Sequence, residues 1–491
     1  MLSEALQRAR EYEAEFACPE AGRPVFHMTP TVGWMNDPNG FSVYQGEYHL
    51  FYQYHPYSTN WGPMHWGHVK TKDFIKWERL PAALAPDQAY DKGGCFSGSA
   101  LELPDGRQLL VYTGVQQYAE AGGTMKERQA QCIAIGDGID YKKSGLNPVL
   151  NETALPPGGS PADFRDPKIW QEPDGSYRLV AANRAGDGSG AALLFGSRDA
   201  LHWDLLSTLD ASGWKFGGMW ECPDCFRLGD RQVLMLSPQE MLPVGPDFHA
   251  GNNTAWLIGR MEPGSIAFVR QIVQPVDYGI DFYAPQTLLA PDGRRIMIAW
   301  MQNWETAAYK MEGCPWFGQM TLPRELRMEN GKILQLPVRE LEAYRRHRIA
   351  YQDVAVREAV TLPGVHGRVL DMTLTLRPTQ AEGCFRLRFA QGGPYVTTLS
   401  CDLEHGIATL DRSASGLRWD TLHSRTFPAP LRGGTLKLRL VLDRFSAELF
   451  LNDGAQAAST TLYTPAEADG ISFEANQKVV MELEKYDLVL G

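Results

Sequence analysis

Three acidic residues lie in short motifs that are far apart in the sequence but alike in form. Asp37 lies in the segment WMNDP, Asp166 in FRDP and Glu221 in WECPD. Acidic groups that are brought together repel one another, so one of them holds a proton at neutral pH. Glycoside cleavage requires such a set, because one carboxylate attacks the anomeric carbon while a second, protonated carboxyl donates to the leaving oxygen. One such motif alone indicates only a turn or a cap, but three acids in register favour an active site.

Two more motifs extend these three to a series of five, which indicates a repeated structural unit. Ser97 in FSGS and Asp281 in DFYAP complete the series Asp37, Ser97, Asp166, Glu221 and Asp281, with steps of 60, 69, 55 and 60 residues. Short strand-like runs and Pro-Asp-Gly turns separate the motifs. Repeats of about 55–70 residues, each with about four short strands, are typical of propeller blades. Because equivalent positions of successive blades face the central axis, the three acids should converge in one funnel.

A second pattern recurs in step with the first. An aspartate is followed two residues later by an aliphatic residue, and two residues after that by an aromatic one, at 73–77, 137–141 and 199–203. The aromatic positions are 64 and 62 residues apart, which matches the period of the first series. Together the two patterns predict five similar β-units that extend to about residue 340.

The patterning on either side of this region predicts the remaining domains. Apolar residues recur at helical spacing in the first 16 residues, whereas the chain beyond Leu341 alternates strictly between apolar and polar residues at 370–376, 385–389 and 436–442. Sheets with one buried face indicate a β-sandwich. We therefore predict an all-β fold, a five-bladed β-propeller followed by a C-terminal β-sandwich, with a helical segment at 1–22, the catalytic propeller at 23–341, and a connector and sandwich at 342–491.

Composition excludes several classes of protein. The 491 residues include 47 Lys and Arg against 58 Asp and Glu, a net charge of −11 without a basic run, which argues against a nucleic-acid partner. No apolar stretch approaches the ~18 residues of a membrane span, and the charged N-terminus is not a secretory signal. Eight cysteines are too few for a disulfide framework. We expect a cytoplasmic protein without a membrane partner.

Two motifs imitate metal or redox sites, and we expect neither a metal nor a cofactor. Cys222 and Cys225 have C-x-x-C spacing, but no second such pair exists to complete four zinc ligands. His65 and His68 have no evident third ligand. No glycine-rich loop lies in a phosphate-binding context, so a nucleotide cofactor is not supported.

The four motifs around Asp37, Ser97, Asp166 and Glu221 resemble the signature blocks of the glycoside hydrolase family 32 fructosidases and occur in the same order. Other segments resemble the family too, at 61–68, 321–326 and 448–454, so the resemblance covers nearly the whole chain. Such a resemblance implies a propeller followed by a sandwich, and hydrolysis with retention of configuration.

The resemblance also implies roles for individual residues. Asp37 would be the nucleophile and Glu221 the acid/base, while Asp166 would hold the fructose hydroxyls and stabilise the oxocarbenium-like transition state. The implied substrate-binding residues are Asn36, Gln53, Trp61, Phe96, Ser97, Arg165, Cys222, Tyr278 and Trp300. Tyr278 and Trp300 rest on looser local matches than the others.

These inferences predict a β-fructofuranosidase that hydrolyses sucrose or sucrose-6-phosphate. An exo-acting hydrolase of fructans or fructo-oligosaccharides is the alternative within the same chemistry, and a fructosyltransferase would use the same covalent intermediate. A non-catalytic sugar-binding protein is the alternative of another class, but it has no need of three crowded acids.

The expected partner is a small sugar, and the chain is either a monomer or a homodimer. Recognition of a 6-phosphate requires Lys or Arg near the leaving group, which the sequence alone does not place. The segment 305–316, which does not match the family pattern, could shape that subsite.

Overall fold

The computed structural model describes residues 2–119, 125–261, 266–380, 383–417 and 422–490, in which almost all regular structure is β. Met1 and Gly491, the outer limits of the predicted first and last domains, lie outside these ranges.

A single α-helix in the described ranges, α1 (Glu4–Phe16), begins after Ser3, whose hydroxyl accepts a hydrogen bond from the backbone N of Leu6 at 3.2 Å. No helix in the described ranges is long and apolar enough to cross a membrane.

Five sheets follow one another between residues 33 and 337 of the described chain. The first contains β1 (Gly33–Tyr44), β2 (Glu47–His55), β3 (His65–Thr71) and β4 (Glu78–Leu84). The second contains β5 (Gly94–Glu102), β6 (Gln108–Ala119), β7 (Met125–Gly136) and β8 (Tyr141–Lys143). The third contains β9 (Arg165–Gln171), β10 (Tyr177–Arg184), β11 (Gly190–Ser197) and β12 (Asp204–Ala211), with a short 3₁₀ turn at Glu152–Ala154 before it. The fourth contains β13 (Met219–Leu228), β14 (Arg231–Gln239), β15 (Ala255–Arg260) and β16 (Val269–Pro275).

The fifth sheet differs because one strand between its members pairs elsewhere. It contains β17 (Tyr283–Leu289), β18 (Arg295–Trp300), β20 (Arg324–Glu329) and β21 (Lys332–Pro337), whereas β19 (Trp316–Phe317) pairs in parallel with β1. The end of the series is thereby joined to its beginning.

The first strands of the five sheets form a closed ring. Strand β1 contacts β5, β5 contacts β9, β9 contacts β13, β13 contacts β17, and β17 contacts β1. The pairing of each first strand with its second strand is interrupted at the motif that the sequence series identifies. Such β-bulges bend a strand and redirect its side chains, so the ring carries five irregular positions around one centre.

The turns that the sequence predicts occur at equivalent places. Gly106, Gly175 and Gly293 each end a Pro-Asp-Gly turn between the first and second strands of a sheet, with φ of +81°, +86° and +87°. A left-handed φ is readily adopted by glycine but disfavoured for other residues. The second sequence pattern also marks a turn, because the carboxylates of Asp73, Asp137 and Asp199 each accept backbone N–H groups two and three residues later. Each of these turns joins the third strand of a sheet to the fourth.

Two further sheets form a sandwich after a short 3₁₀ connector at Arg339–Tyr344. One contains β22 (Arg345–Val356), β23 (Leu370–Pro378), β28 (Leu436–Asp443), β29 (Ser446–Leu451), β30 (Gln456–Thr461) and β32 (Val479–Leu488), and the 3₁₀ turn Asn452–Gly454 links β29 to β30. The other contains β24 (Cys384–Gly392), β25 (Tyr395–Asp402), β26 (Ile407–Ala414), β27 (Ser424–Pro428) and β31 (Gly470–Ala475). The alternating apolar residues of β23, β24 and β28 are buried in one shared core, as their spacing predicts.

A buried cluster of charges joins the sandwich to the preceding sheets. The imidazole of His27 lies 2.9 Å from Asp443 Oδ2 through Nδ1 and 3.0 Å from Glu448 Oε1 through Nε2. Arg324 Nε donates to Glu448 Oε2 at 3.0 Å, and Arg324 Nη1 donates to Asp277 Oδ2 at 2.9 Å. Removing one partner from a buried set of this kind leaves an uncompensated charge.

We predict that the His27 cluster makes stability depend on pH. Burial by itself would lower the pKa of His27, but Asp443 and Glu448 outweigh it and raise that pKa to about 9, against ~6.5 in the unfolded chain. The stabilising contribution of His27 is therefore complete below about pH 6.5 and is lost as the pH rises through about 9. His27→Gln should lower the free energy of unfolding by ~3 kcal/mol at pH 6, and the difference should shrink towards pH 10.

Thermal unfolding followed by circular dichroism at pH 6, 8 and 10 measures this effect. The control is His347→Gln, which removes an exposed imidazole paired with Asp487 and should change stability by well under ~1 kcal/mol. A His27→Gln deficit that is the same at every pH would contradict the protonated state assigned to His27.

Candidate active site

A cavity of about 540 Å³ gathers most of the residues that the sequence series identifies. The first strands of four sheets contribute to it, and so do their neighbouring loops. Its lining residues are Asn36, Asp37, Gln53, Trp61, Phe96, Ser97, Glu127, Gln129, Ala162, Asp163, Arg165, Asp166, Glu221, Gln239, Asn252 and Trp304. A second cavity of about 700 Å³, between the start of α1 and β8, is larger but contains none of the three predicted carboxyls.

Asp37 is held at the irregular part of β1 by two neighbouring donors. Asn36 Nδ2 donates to Asp37 Oδ1 at 3.0 Å, and Ser97 Oγ donates to Asp37 Oδ2 at 2.7 Å. Burial and the negative charge of Glu221 raise the pKa of Asp37, while these two hydrogen bonds oppose the rise. These two hydrogen bonds hold the Asp37 carboxylate in position.

Asp166 and Cys222 share one contact region with Asp37. The backbone N of Cys222 donates to Asp166 Oδ2 at 2.9 Å, and the Cys222 sulfur lies 3.6 Å from both Asp166 Oδ2 and Asp37 Oδ2. Burial holds the pKa of the Cys222 thiol well above its usual range, so the group remains an S–H donor between two acceptors. The thiol therefore offers one weak donor that both carboxyls can share.

Glu221 is surrounded by donors on both of its oxygens. Arg165 donates to Oε1 through Nε at 3.2 Å and through Nη2 at 3.0 Å. Gln239 Nε2 donates to Oε2 at 2.6 Å, and the Tyr283 hydroxyl donates to the same oxygen at 2.7 Å. Four hydrogen bonds from three side chains hold the Glu221 carboxyl in one orientation.

The β-bulges show that the predicted alignment of Asp166 with Glu221 is wrong by one residue. In β9, β13 and β17, the two residues Asp166–Pro167, Cys222–Pro223 and Ala284–Pro285 each stand opposite one residue of the second strand. Asp166, Cys222 and Ala284 all have positive φ, of 60°, 49° and 52°. Cys222, not Glu221, is therefore the equivalent of Asp166. The sequence series matched acid to acid, whereas in β9, β13 and β17 the residue before the proline holds the equivalent position.

The side chains around the ring therefore form two sets, one from the residues just before each bulge and one from the residues at the bulge; we call these sets two levels. The residues one place before the bulge, Arg165, Glu221 and Tyr283, form a hydrogen-bonded row that passes from sheet to sheet. The residues at the bulge include Asp166 and Cys222, and the Cys222 sulfur contacts both Asp166 and Asp37. Glu221 thus comes from a different level from the two aspartates.

The charges of this cluster are only partly balanced. Burial, together with Glu221 and Asp37, raises the pKa of Asp166 to about 7, although Arg165 opposes the rise. Burial alone would lower the pKa of Arg165, but Glu221, Asp166 and Asp163 outweigh it and raise that pKa above its usual value. The guanidinium is therefore permanently charged, and the carboxyl cluster retains a proton close to neutral pH.

Nine of the residues predicted from sequence line this cavity, and Cys222 contacts Asp37 and Asp166 beside it. Tyr278 and Trp300 lie elsewhere. The Tyr278 hydroxyl donates to Asp247 Oδ1 at 3.3 Å, and its ring stacks on Phe427 of the sandwich. Trp300 is completely buried, 4.8 Å from the ring of Trp304.

The fifth member of the series, Asp281, also lies outside the cavity. Its carboxylate forms a buried ion pair with Arg412 of the sandwich and accepts the backbone N of Thr461 at 2.7 Å. In the fifth sheet Tyr283 takes the place next to the bulge and reaches Glu221. Asp281 therefore links the start of the fifth sheet to the sandwich.

Several lining or supporting residues were not predicted, namely Glu127, Gln129, Asp163, Gln239, Asn252, Tyr283 and Trp304. Gln239 ends a second strand, and Trp304 follows another, so neither belongs to a first-strand motif. In the segment Tyr283-Ala284-Pro285, the proline marks the same bulge as the prolines after Asp166 and Cys222. The position of Tyr283 just before this bulge could therefore have been predicted from the proline.

The C-x-x-C motif does not form a pair of thiols. Cys222 faces the carboxyl cluster, whereas Cys225 is buried in an apolar cluster and its sulfur accepts from Gln232 Nε2 at 3.2 Å. Among the described residues, no group of three or more His, Cys, Asp and Glu side chains is placed to bind a metal ion.

Two family models match this chain. "Glycosyl hydrolases family 32 N-terminal domain" matches residues 27–337, and "Glycosyl hydrolases family 32 C terminal" matches residues 340–488. Among curated proteins, a raffinose invertase of Escherichia coli is 38% identical over 454 residues, covering 92% of each chain. A sucrose-6-phosphate hydrolase of Escherichia coli is 37% identical over 464 residues, covering 93% of each chain.

Solved structures show the same architecture. The β-fructofuranosidase of Bombyx mori is 33% identical, with a TM-score of 0.84 over 99% of this chain and 98% of that one. The sucrose-6-phosphate hydrolase of Lactobacillus gasseri is 25% identical, with a TM-score of 0.82 over 100% of this chain and 97% of that one.

We predict that the crowding of carboxyls lowers stability at alkaline pH. Because the pKa of Asp166 is raised to about 7, from ~3.9 in the unfolded chain, its favourable contribution is complete below about pH 4 and is lost as the pH rises through 7. Asp166→Asn keeps an acceptor for Cys222 N and removes the charge. The variant should exceed the wild type in unfolding free energy at pH 8 by on the order of 1–3 kcal/mol, and by much less at pH 5.

Denaturant unfolding at the two pH values measures the difference. Asp174→Asn, on an exposed hairpin turn, is the control and should show no such gain. An Asp166→Asn variant that is less stable than the wild type at pH 8 would refute the electrostatic description of the cluster.

Proposed function

Because the chain belongs to glycoside hydrolase family 32, we propose that its cavity hydrolyses the terminal β-D-fructofuranosyl bond of sucrose or sucrose-6-phosphate, with retention, through a covalent fructosyl-enzyme. The observation that carries this proposal is the joint placement of Asp37, Asp166 and Glu221 in one cavity. The relatives named a raffinose invertase and a sucrose-6-phosphate hydrolase support the substrate class.

In the first step, Asp37 attacks the anomeric carbon of the fructosyl group. The bond from that carbon to the glycosidic oxygen breaks, and Glu221 gives its proton to this oxygen, so the glucose portion leaves as an alcohol. The hydrogen bonds from Asn36 and Ser97 orient the Asp37 carboxylate for attack. Proximity of this kind lowers the entropic cost of bringing the reacting atoms together.

In the second step, a water molecule replaces the leaving group. Glu221, now ionised, removes a proton from the water, whose oxygen attacks the anomeric carbon and releases Asp37 and free fructose. The donors Arg165, Gln239 and Tyr283 keep Glu221 in one orientation through both steps. Each cycle consumes one water and restores both carboxyls to their initial state.

The remaining side chains hold the sugar and stabilise the charge that develops on it. In its ionised form, Asp166 accepts hydroxyl hydrogens of the fructosyl group and places negative charge beside the oxocarbenium-like transition state. Gln53 donates to the backbone O of Cys95 at 3.0 Å, which fixes its amide at the cavity wall. Phe96 and the half-exposed Trp61 pack edge to face and offer apolar contact area to sugar rings.

We propose further that the five successive sheets are the blades of one propeller, with domains at 23–341 and 342–491 after a helical segment at 1–22. The closed ring of first strands supports the five blades, and the two family matches support a division near residue 340. All eight cysteines are free, which is typical of a reducing compartment and supports a cytoplasmic location.

We predict that replacing either catalytic carboxyl abolishes sucrose hydrolysis but in different ways. Asp37→Asn removes the nucleophile, so kcat should fall by about 10⁴-fold or more with every fructoside. Glu221→Gln removes the proton donor, so kcat should fall by about 10²–10⁴-fold with sucrose. The loss should be much smaller with a p-nitrophenyl fructoside, whose leaving group departs without protonation.

Release of fructose and of p-nitrophenol measures the two activities, with Asp174→Asn as a control that should match the wild type. An Asp37→Ala variant that keeps most of its activity would exclude the proposed mechanism. Binding of sucrose without turnover by the wild type would favour a sugar-binding protein instead.

A further inference from the structure

The cavity has two unlike walls. Glu127 in β7 and Asp163, which precedes β9, make one wall acidic. Trp61, between β2 and β3, and Trp304, which follows β18, make the other wall aromatic. Among the described lining residues, Arg165 is the single cation. A phosphate group on the leaving glucose would be repelled by the acidic wall and needs a positive charge elsewhere.

Arg165 is not available for that purpose. Its Nε and Nη2 donate to Glu221, and its Nη1 donates to Asp163 at 3.3 Å and to Gln129 at 3.4 Å. Binding a phosphate there would break the contacts that orient Glu221. A substrate with a phosphate must therefore find its cation at the aromatic side.

Lys310 lies at that side, where the segment between β18 and β19 crosses to the first sheet. Its ammonium donates to Asn60 Oδ1 at 2.6 Å and to the backbone O of Thr59. It also lies over the rings of Trp34 at 5.3 Å and Phe317 at 5.0 Å. Asn60 is the residue before Trp61, so the ammonium stands beside the aromatic wall.

The charge of Lys310 is not balanced by its partners. Asn60 and Thr59 offer neutral oxygens, and burial lowers the pKa of Lys310. The bond to Asn60 is at the surface, and a lysine reaches its partners on a flexible four-carbon stem. In the order of the ring, the third sheet with Asp163 lies across from this junction of the fifth and first sheets.

We infer that Lys310 binds the 6-phosphate of the leaving glucose and makes the cavity selective for sucrose-6-phosphate. The ammonium exchanges its neutral oxygen partners for phosphate oxygens, while the pyranose ring lies against Trp61 and Trp304. The segment 305–316 thus supplies the cation that the sequence alone did not place. This inference rests on the proposed function, since it assigns the substrate of the same cavity.

The test compares sucrose with sucrose-6-phosphate in the wild type, Lys310→Gln and Lys310→Arg. Glutamine keeps N–H donors for Thr59 and Asn60 but removes the charge, and arginine keeps the charge. We expect the wild type to prefer sucrose-6-phosphate in kcat/KM by about tenfold or more. Lys310→Gln should lose about tenfold or more with that substrate and less than about twofold with sucrose, whereas Lys310→Arg should retain most of the preference.

Product inhibition gives a second readout that does not depend on the chemistry of cleavage. Glucose 6-phosphate should inhibit the wild type more strongly than glucose, and this difference should disappear in Lys310→Gln. Lys332→Gln, an exposed lysine of β21, is the matched control for loss of one positive charge and should behave as the wild type.

Several outcomes would overturn the inference. If Lys310→Gln lowers kcat/KM equally with both substrates, Lys310 only holds the segment 305–316 against Thr59 and Asn60. If it lowers kcat/KM with neither, Lys310 does not bind the phosphate. A wild type that prefers sucrose would reject the selectivity. Absence of fructose release from both substrates would instead contradict the proposed function, and the inhibitor can still be tested for binding to each variant by calorimetry.

Discussion

The structure of the site depends on keeping three carboxyl groups together in a small buried space. Like charges at close range repel strongly where water is scarce. The protein opposes this repulsion with one guanidinium, from Arg165, with a thiol between Asp37 and Asp166, and with neutral donors on every carboxyl. The balance is incomplete, because the pKa of Asp166 stays raised to about 7.

The ring of bulges makes this crowding possible. Each first strand departs from regular pairing within its motif, and Asp166 and Cys222 adopt positive φ there. That conformation costs free energy for residues other than glycine, so it persists only because the strands on either side are firmly paired. Regular strands would direct alternate side chains to opposite faces, and the side chains of Arg165, Asp166, Glu221 and Cys222 would not form two levels around one centre.

Much of this could be predicted from sequence, because the repeated units carry local signals. The strand-like runs, the Pro-Asp-Gly turns and the Asp-Pro motifs each depend on residues within a few positions of one another. The register of Glu221 could not be read in the same way, since it depends on a bulge whose marker is a proline and not an acid. Gln239 and Trp304 enter the cavity through the fold alone, from a second strand and from a loop, and have no motif of their own. Asp281 lies in a motif of the series but precedes β17, and it forms its ion pair with Arg412 of the sandwich.

Mass spectrometry of the enzyme during turnover shows whether Asp37 becomes covalently linked to the fructosyl group. In a Glu221→Gln variant, a fructoside with an acidic leaving group can form the intermediate, while the hydrolysis that needs a base at 221 is slow. We expect the variant, quenched during turnover, to carry one fructosyl group on a peptide that contains Asp37. Label on a peptide that contains Asp166 instead, or inversion of configuration in the released fructose without any label, would contradict it.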